Sequence, residues 1–394
     1  MTGPLAGVLV LDAATFLAAP FCATLLAEFG AEVIKIEQPG VGDSLRRLGT
    51  PSAAGDTFIW LSEARNKKSA TLDLRQPEGA ELFRKLAARA DVVVENFRPG
   101  TMEDWGLGYA ALAKVNPKLV MLSISAYGQT GPCREMPGFA RIAHAFSGLA
   151  YLAGEPGRPP VVPGSTSLAD YMSGMFGAIG VLMALRHADK TGQGQLVDIG
   201  LYESIFRILD ELAPAYAATG MQRERMGADI GYVAPHSHYQ TADGVWVAIA
   251  CSNDRMWRRL VRAMGRDDPA FATMDERVKQ REAVNALVAD WVKSLPLRQV
   301  VEICTREEVP CSKLLSIGDI FADPQYRARE NLHELDDPRA GRLTVPSPVP
   351  RLSKTPGQVK HAGPALGDAN AEVFGKLLGL SAAELADLKA RGVI

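Results

Sequence analysis

Short runs of β-branched residues alternate with helical stretches over the first 130 or so residues, and this rhythm constrains the possible folds more than any other feature. The pattern predicts five strands, at 7–13, 31–37, 69–74, 91–97 and 119–128. It predicts helices between them at 21–30 and 77–90. This order is typical of a doubly wound parallel sheet in an α/β protein. Ligands of such sheets gather at the carboxyl ends of the strands, so a ligand site is expected there.

The rest of the chain has a different character. A helix is predicted over 168–188, after a loop rich in glycine and proline. Near residue 225 a hairpin follows, with its turn at Asp243 and Gly244, and charged helices continue to about 325. A proline-rich tail from 338 to 364 leads to two closing helices. The middle block is therefore a candidate second domain.

Composition and charge are those of an ordinary globular protein. The chain has 394 residues, of which 47% are hydrophobic and 22% charged, and its net charge is −2. This length predicts two domains, or one large domain with a substantial insertion, and the small net charge gives no general attraction to nucleic acid or to anionic membranes. The five cysteines are odd in number and include no Cys-x-x-Cys pair, so reduced thiols are expected.

The sequence predicts neither a signal peptide nor a membrane-spanning segment. The amino-terminal residues lack a basic region followed by a long apolar core, so they predict a buried strand and not a signal peptide. The longest apolar stretch, 171–185, contains three glycines and is shorter than a membrane span. We therefore expect a cytoplasmic protein with no nucleic-acid or membrane partner.

Motifs for several common cofactors are absent from the sequence. No Gly-x-Gly-x-x-Gly follows the first strand, and neither a P-loop nor a Gly-x-Ser-x-Gly nucleophile elbow occurs. His236 and His238 lie two apart in a predicted strand, but no acidic or cysteine cluster near them completes a metal site. We therefore expect no metal and no tightly bound cofactor.

Basic residues gather at 64–75 and 95–100, at the edges of predicted strands. Such runs are usually solvated surface. Because both lie where a doubly wound sheet binds ligands, they could also clamp a phosphate-bearing ligand through charge-assisted hydrogen bonds. The residues themselves leave these alternatives open.

Asp170 is the one charged residue of the stretch from Ser165 to Leu185. The Ser-x-x-Asp pattern that begins at Ser167 places Asp170 at the third helical position, where its carboxylate can cap the helix and meet the positive end of the dipole. The small residues that follow, Gly174 and Gly177 among them, could let another backbone or a ligand approach closely. A carboxylate beside such a surface could be a nucleophile, so both interpretations stay open.

Five segments together resemble the class III coenzyme A transferases, the CaiB/BaiF family, over essentially the whole chain. The matching segments are LAAPFCATLLAEFGAEVIKIEQPGVGD (17–43), NKKSATLDLRQPEG (66–79), ADVVVENFRPG (90–100), AYGQTGP (126–132) and LADYMSG (168–174). Their order and spacing make a chance resemblance very improbable. The resemblance implies that Asp170 attacks an acyl-CoA thioester and carries CoA as an aspartyl-CoA thioester.

The resemblance also assigns the coenzyme A contacts. The implied residues are Phe16, Leu17, Ala18, Gln38, Leu72, Arg75, Asn96, Phe97 and Arg98. Gln38 and Asp104 stand where some relatives have arginines. Arg98, Lys67 or Arg47 would then supply the missing phosphate charge.

The acid substrate is expected to meet a second group of residues. These candidates are Phe139, Arg141, His144, Tyr171 and His236. Phe139 stands where α-methylacyl-CoA racemases of the family carry a histidine, so the resemblance favours a transferase over a racemase or epimerase. A CoA-binding protein without turnover is a further alternative, against which the retained Asp170 argues.

The resemblance finally implies an interlocked homodimer with a Rossmann-like doubly wound large domain and a smaller α+β domain. The expected divisions are 1–200 for the first part of the large domain, 201–224 for a linker helix, 225–325 for the small domain and 326–394 for the return to the large domain. The expected reaction moves CoA from an acyl-CoA, such as succinyl-CoA, to a carboxylic acid, such as a short dicarboxylate.

Overall fold

The computed structural model describes residues 3–266 and 271–394. Its contacts divide the chain into two compact units. The large unit contains residues up to 149 together with 165–209 and 327–394, and the small unit contains 150–164 and 210–326. Each unit has its own sheet and its own apolar core.

Strands and helices alternate through the first part of the chain. The strands are β1 (Leu9–Asp12), β2 (Glu32–Glu37), β3 (Lys67–Thr71), β4 (Val92–Glu95), β5 (Val120–Ser125), β6 (Leu196–Gly200), β7 (His236–Gln240), β8 (Trp246–Ala250), β9 (Cys311–Lys313), β10 (Leu332–Asp337) and β11 (Gly341–Pro346). The α-helices are α1 (Ala18–Glu28), α2 (Phe58–Glu63), α3 (Pro77–Ala87), α4 (Thr101–Asp104), α5 (Tyr109–Val115), α6 (Ala140–Phe146), α7 (Leu149–Leu152), α8 (Leu168–Thr191), α9 (Leu201–Phe206), α10 (Leu212–Thr219), α11 (Asp254–Ala263), α12 (Met274–Lys279), α13 (Arg281–Lys293), α14 (Leu297–Arg306), α15 (Ile317–Ala322), α16 (Pro324–Ala328) and α17 (Ala382–Ala390). Ser44–Arg47 and Pro163–Ser165 form 3-10 turns, and Ala371–Leu377 is a π-helix.

The large unit is built on a six-stranded parallel sheet with the order β3-β2-β1-β4-β5-β6. The prediction of a doubly wound parallel sheet is therefore confirmed. Strands β2 and β3 lie on one side of β1, and β4, β5 and β6 lie on its other side. This arrangement leaves a crevice outside the carboxyl ends of β1 and β4, where ligands of such sheets bind.

The sheet is buried on both faces, which explains the continuous apolar runs of its central strands. Leu11 and Val93 pack into one core with α3 and the carboxyl-terminal segment. Val10 and Val92 pack into the other core with α1 and α8. All four side chains are fully buried. These two cores fix the crevice between β1 and β4.

The outer edge of β3 is covered by a distant part of the chain. The Ala369 amide donates to the Ser69 carbonyl at 2.9 Å, and the Asp73 amide donates to the Val393 carbonyl at 2.9 Å. Covering of this kind keeps an edge strand from pairing with another molecule. It also fastens the loop after β3 to residues about 300 positions downstream.

Glycines on α8 allow the helix to lie close to α1 and the sheet. A Cβ atom at Gly174 would come within 2.6 Å of the Ala18 carbonyl oxygen, and one at Gly177 within 2.8 Å of the Leu122 side chain. Of the two predicted alternatives, the close approach of another backbone is confirmed and the room for a ligand is wrong, because the space beside these glycines is filled by protein. By length and composition α8 resembles a membrane-spanning helix, a property that core helices share.

We expect Gly174→Ala to lower the free energy of unfolding by about 1–3 kcal/mol, because the added methyl group meets a backbone oxygen that cannot turn away. Urea denaturation measures this change. Gly318→Ala in α15 is the matched control, since the nearest atom to its new Cβ is 3.8 Å away. The control variant should change stability little or raise it, because alanine favours helix. Equal losses in both variants would contradict the packing argument.

The small unit contains the antiparallel sheet β7-β8-β9, and the predicted hairpin with its turn at Asp243 and Gly244 is confirmed. The segment 201–224, expected as one linker helix, instead holds the short helices α9 and α10. Pro214 has no amide hydrogen and would break a continuous helix, and Asp210 between the two helices has a φ of +44°. The hairpin β10–β11 was not predicted.

Candidate functional site

The loop after β1 is held in one conformation by side chains from two other strand ends. The Thr15 amide donates to Asn96 Oδ1 at 2.7 Å, and Asn96 Nδ2 donates to the Thr15 carbonyl at 2.7 Å. The Phe16 amide donates to Asp43 Oδ1 at 3.1 Å. Phe16 has a φ of +59°, a conformation that needs such support in a residue with a side chain. Asn96 therefore acts on this loop through both atoms of its amide group.

A cluster of buried charges lies beneath the loop. Lys67 Nζ contacts Asp12 Oδ2 at 2.9 Å, and Lys35 Nζ lies 3.5 Å from Asp12 Oδ1 and 3.2 Å from Asp43 Oδ2. Lys35 Nζ also donates to the Ala14 carbonyl. All four charged side chains are at most 3% exposed. The pairs join the ends of β1, β2 and β3 and orient Asp43 toward the loop.

The candidate phosphate-binding role of Lys67 is wrong. Its ammonium group is 1% exposed and already donates to Asp12 and to the Pro20 carbonyl. The neighbouring cations of the same stretch are paired too: Arg65 binds Glu28, and Lys68 binds Glu32 and Glu372. Lys67 and Arg65 are therefore buried structural residues, Lys68 forms surface ion pairs, and none of the three is a free clamp.

A cavity of about 210 Å³ opens at the carboxyl ends of the strands. Of the residues predicted to bind coenzyme A, it brings together Gln38, Leu72, Arg75 and Phe97. Arg75 is exposed and forms two hydrogen bonds with Asp73, at 2.8 and 2.9 Å. The cavity is thus lined by a mixture of apolar and hydrogen-bonding groups and has one exposed cation at its rim.

The remaining predicted contacts lie around the same loop. Leu17 and Ala18 are buried at the start of α1, and Arg98 is exposed in the loop after β4. The sequence did not single out Trp105, which lines the cavity and packs on the Phe97 ring with centroids 5.1 Å apart. An aromatic residue shortly after the ENFRPG segment was the signal that could have found it.

Asp170 lies in the first turn of α8, at the third helical position as predicted. The Ser167 side chain makes no capping hydrogen bond with any described residue, and no hydrogen bond joins the Asp170 carboxylate to the start of the helix, so the predicted capping role of Asp170 is wrong. Instead, the Ala169 amide donates to Nε2 of His144 at 3.0 Å. His144 of α6 therefore caps this end of the helix in place of the local side chains.

The Asp170 side chain is half-buried. Burial raises its pKa to about 6, because the charged form is poorly solvated there. Within residues 3–266 and 271–394 the carboxylate has neither a hydrogen bond nor an ion pair. It is still mostly ionised at pH 7, and its oxygens are free to react.

The other predicted substrate residues fall into two groups. Phe139 is 71% exposed and packs edge to face on Phe16, with centroids 6.1 Å apart. Tyr171 packs on Phe21 at 4.9 Å, and Arg141 is exposed on α6. These residues lie in the large unit. His236 belongs to β7 of the small unit, where it lines a separate cavity with β8 and β9.

Known proteins resemble this chain over its full length. The family model described as CoA-transferase family III matches residues 5–370. The chain is 52% identical to the beta subunit of succinyl-CoA–L-malate CoA-transferase of Chloroflexus aurantiacus, over 100% of this chain and 98% of that protein. It is 43% identical to succinyl-CoA–D-citramalate CoA-transferase of the same organism, over 99% of this chain and 98% of that protein. A crystal structure of a CaiB/BaiF family protein from Brucella suis matches with a TM-score of 0.84 and 32% identity, over 96% of this chain and 100% of that one.

Proposed function

This chain belongs to CoA-transferase family III and is a CoA-transferase, and we propose that it moves coenzyme A from succinyl-CoA to a short dicarboxylic acid such as L-malate. The observation that carries this proposal is the 52% identity to an enzyme named for that pair of substrates. The D-citramalate enzyme, at 43% identity, and human succinyl-CoA:glutarate CoA-transferase, at 29%, are named for the same donor and for other short dicarboxylic acids.

Asp170 is the nucleophile of the proposed mechanism. One carboxylate oxygen attacks the thioester carbonyl carbon of succinyl-CoA, the carbon–sulfur bond breaks, and CoA leaves as the thiolate. The product is a mixed anhydride of Asp170 and succinate. The thiolate then attacks the Asp170 carbonyl carbon, which releases succinate and leaves an aspartyl-CoA thioester. Splitting the transfer in this way replaces one difficult step by easier ones.

The acceptor acid reverses the sequence. Its carboxylate attacks the aspartyl-CoA thioester and expels the thiolate, which forms a second mixed anhydride. The thiolate attacks the acceptor's carbonyl carbon, and the Asp170 carboxylate leaves unchanged. No proton is gained or lost overall, so the site needs an ionised, accessible carboxylate and no general base. The half-buried, unpaired carboxylate in the first turn of α8 fits this requirement.

Coenzyme A is proposed to bind along the crevice between β1 and β4. The cavity lined by Gln38, Leu72, Arg75 and Phe97 would hold the nucleotide end, with Arg75 and the exposed Arg98 near its phosphates. The loop of Phe16 would lie along the pantetheine arm. This arrangement uses the crevice in which doubly wound sheets bind ligands.

We also infer a homodimer, as the resemblance implies. Helix α8 exposes large apolar side chains, among them Ile179 at 48% and Met183 at 68%, which a second copy would cover. Relatives at 52% identity are named alpha and beta subunits of one enzyme. Light scattering on this chain expressed alone tests whether it pairs with itself. A monomer at micromolar concentration would contradict the inference.

The substrate proposal is tested by incubating the enzyme with succinyl-CoA and a panel of acids: L-malate, D-malate, D-citramalate, glutarate and butyrate. Mass spectrometry detects the new thioesters. We expect the dicarboxylic acids to be used, and butyrate to react with a kcat/KM at least about 100-fold lower, because it leaves carboxylate-binding groups unpaired. Equal use of butyrate would overturn the proposed acceptor class. Incorporation of deuterium at the α-carbon without new thioesters would indicate a racemase instead.

The rate is expected to follow ionisation of Asp170. Since only the carboxylate attacks and its pKa is about 6, kcat/KM for succinyl-CoA should be level above about pH 7 and fall tenfold per pH unit well below pH 6. Stopped assays across this range measure the profile, with tryptophan fluorescence to confirm that the protein stays folded. An acid limb near pH 4 would contradict the burial of this carboxylate.

A further inference from the structure

A buried histidine supports the helix turn that carries the proposed nucleophile. His144 of α6 is 3% exposed, and its Nε2 atom accepts the Ala169 amide hydrogen at 3.0 Å. Ala169 is fully buried and directly precedes Asp170. The amide is therefore shielded from water in the folded protein, and a side chain of similar volume without an acceptor would leave this donor unpaired.

The first turn of α8 has few other supports. The first amides of any helix lack partners within the helix and depend on capping groups. The Ser167 side chain provides none among the described residues, while its carbonyl accepts the Asp170 amide at 3.0 Å. The direction of this turn therefore depends on the contact between α6 and α8.

The protonation state of the imidazole is fixed by this bond. A backbone amide can only donate, so Nε2 of His144 must carry a lone pair and the ring proton must lie on Nδ1. Burial, with Arg141 as a smaller cause, lowers the pKa of His144, which keeps the ring neutral and able to accept. Nδ1 itself is buried without a partner in the described part of the chain. Because a buried N–H group without an acceptor lowers the stability of the folded protein, stability alone does not explain why a histidine stands at this position.

We propose that His144 is a positioning residue for the transfer reaction: by accepting the Ala169 amide hydrogen it fixes the first turn of α8 and thereby the direction of the Asp170 carboxylate. This inference rests on the proposed role of Asp170 as nucleophile. His144 does not touch the reacting atoms and exchanges no proton with them. Its contribution is the alignment of the attacking oxygen, to which reaction rates are very sensitive.

Three substitutions test the inference. In H144Q the Oε1 atom can reach the place of Nε2 and accept the same hydrogen. H144M has nearly the same length and volume but offers only a weak sulfur acceptor. H144N has the same amide group as glutamine, but its Oδ1 atom lies at the level of Nδ1, too short to reach Ala169.

We expect H144M and H144N to lower kcat by about 10- to 100-fold, with the KM for succinyl-CoA changed less than about twofold. H144Q should restore kcat to within about fivefold of the original enzyme. Melting temperatures are measured for all variants, since a purely structural role predicts that kcat follows stability. Full kcat in a folded H144M variant, or equal losses in H144Q and H144M, would overturn the inference.

The original enzyme is assayed beside the variants. If it shows no CoA transfer, the proposed function has failed. If it transfers CoA and H144M does so equally well, the function stands and the positioning role has failed. Hydroxylamine trapping of the Asp170 thioester adds a direct measure, because H144M should form the adduct more slowly from the same concentration of succinyl-CoA.

Discussion

Asp170→Ala is expected to abolish CoA transfer, with kcat lowered at least about 10³-fold, because no other group can form the covalent thioester. Mass spectrometry of the original enzyme after incubation with succinyl-CoA should show one CoA attached to the peptide that contains Asp170. The same peptide of the variant should remain unmodified. The loss should appear in kcat, since the proposed CoA cavity lies at other residues.

Stability distinguishes this loss from misfolding. The pKa of Asp170 is raised in the folded protein, so its charge opposes folding at pH 7, and its removal should leave the melting temperature unchanged or higher. Asp189→Ala, an exposed change on the same helix, is the control and should keep full activity. Transfer at an undiminished rate by the folded Asp170→Ala variant would refute the covalent mechanism.

Two adjacent lysines of β3 should give losses of stability of very different size when each is replaced by methionine. Lys67→Met removes the partner 2.9 Å from the fully buried Asp12 and leaves that carboxylate with Lys35 at 3.5 Å. The expected loss in the free energy of unfolding is about 3–5 kcal/mol, as for other broken buried ion pairs. Lys68→Met removes pairs with Glu32 and Glu372 that lie at the surface, and the expected loss is at most about 1 kcal/mol.

Chemical denaturation of the two variants measures the difference. Because both changes delete the same charge from neighbouring positions of one strand, net charge and strand propensity are matched. Losses of similar size would show that Asp12 does not depend on Lys67. A folded Lys67→Met variant should also bind CoA more weakly, since Asp12 and Lys35 lie beneath the loop of Phe16.

The sequence predicted the architecture well where the physics is local. Apolar runs such as Val92–Glu95 require burial on both faces of a parallel sheet, and the strand order follows from short crossovers. It also indicated that Asp170 lies at the third position of its helix. Apolar and polar residues alternate in β11 but not in β10, where Leu332 and Leu335 are three positions apart, so the pattern indicates only one strand of this hairpin.

The errors concern contacts between elements distant in sequence. Whether Lys67 faces solvent or the interior depends on where β1 lies, and the basic run gives no sign of it. The Ser167 pattern predicts a local cap, but the Ala169 amide is satisfied by His144, 25 residues earlier. Glycines at 174 and 177 are compatible with open space or with close packing, and the neighbouring helix decides between them.

The covered edge of β3 has a consequence for how the protein is made. The loop that carries Asp73 and Arg75 to the cavity is fastened by Val393, and β3 itself is fastened by Ala369. During synthesis the ribosome must release these late residues before that rim of the cavity can be completed. Contacts so distant in sequence form slowly. The nascent chain therefore completes this rim of the cavity only after Val393 has emerged.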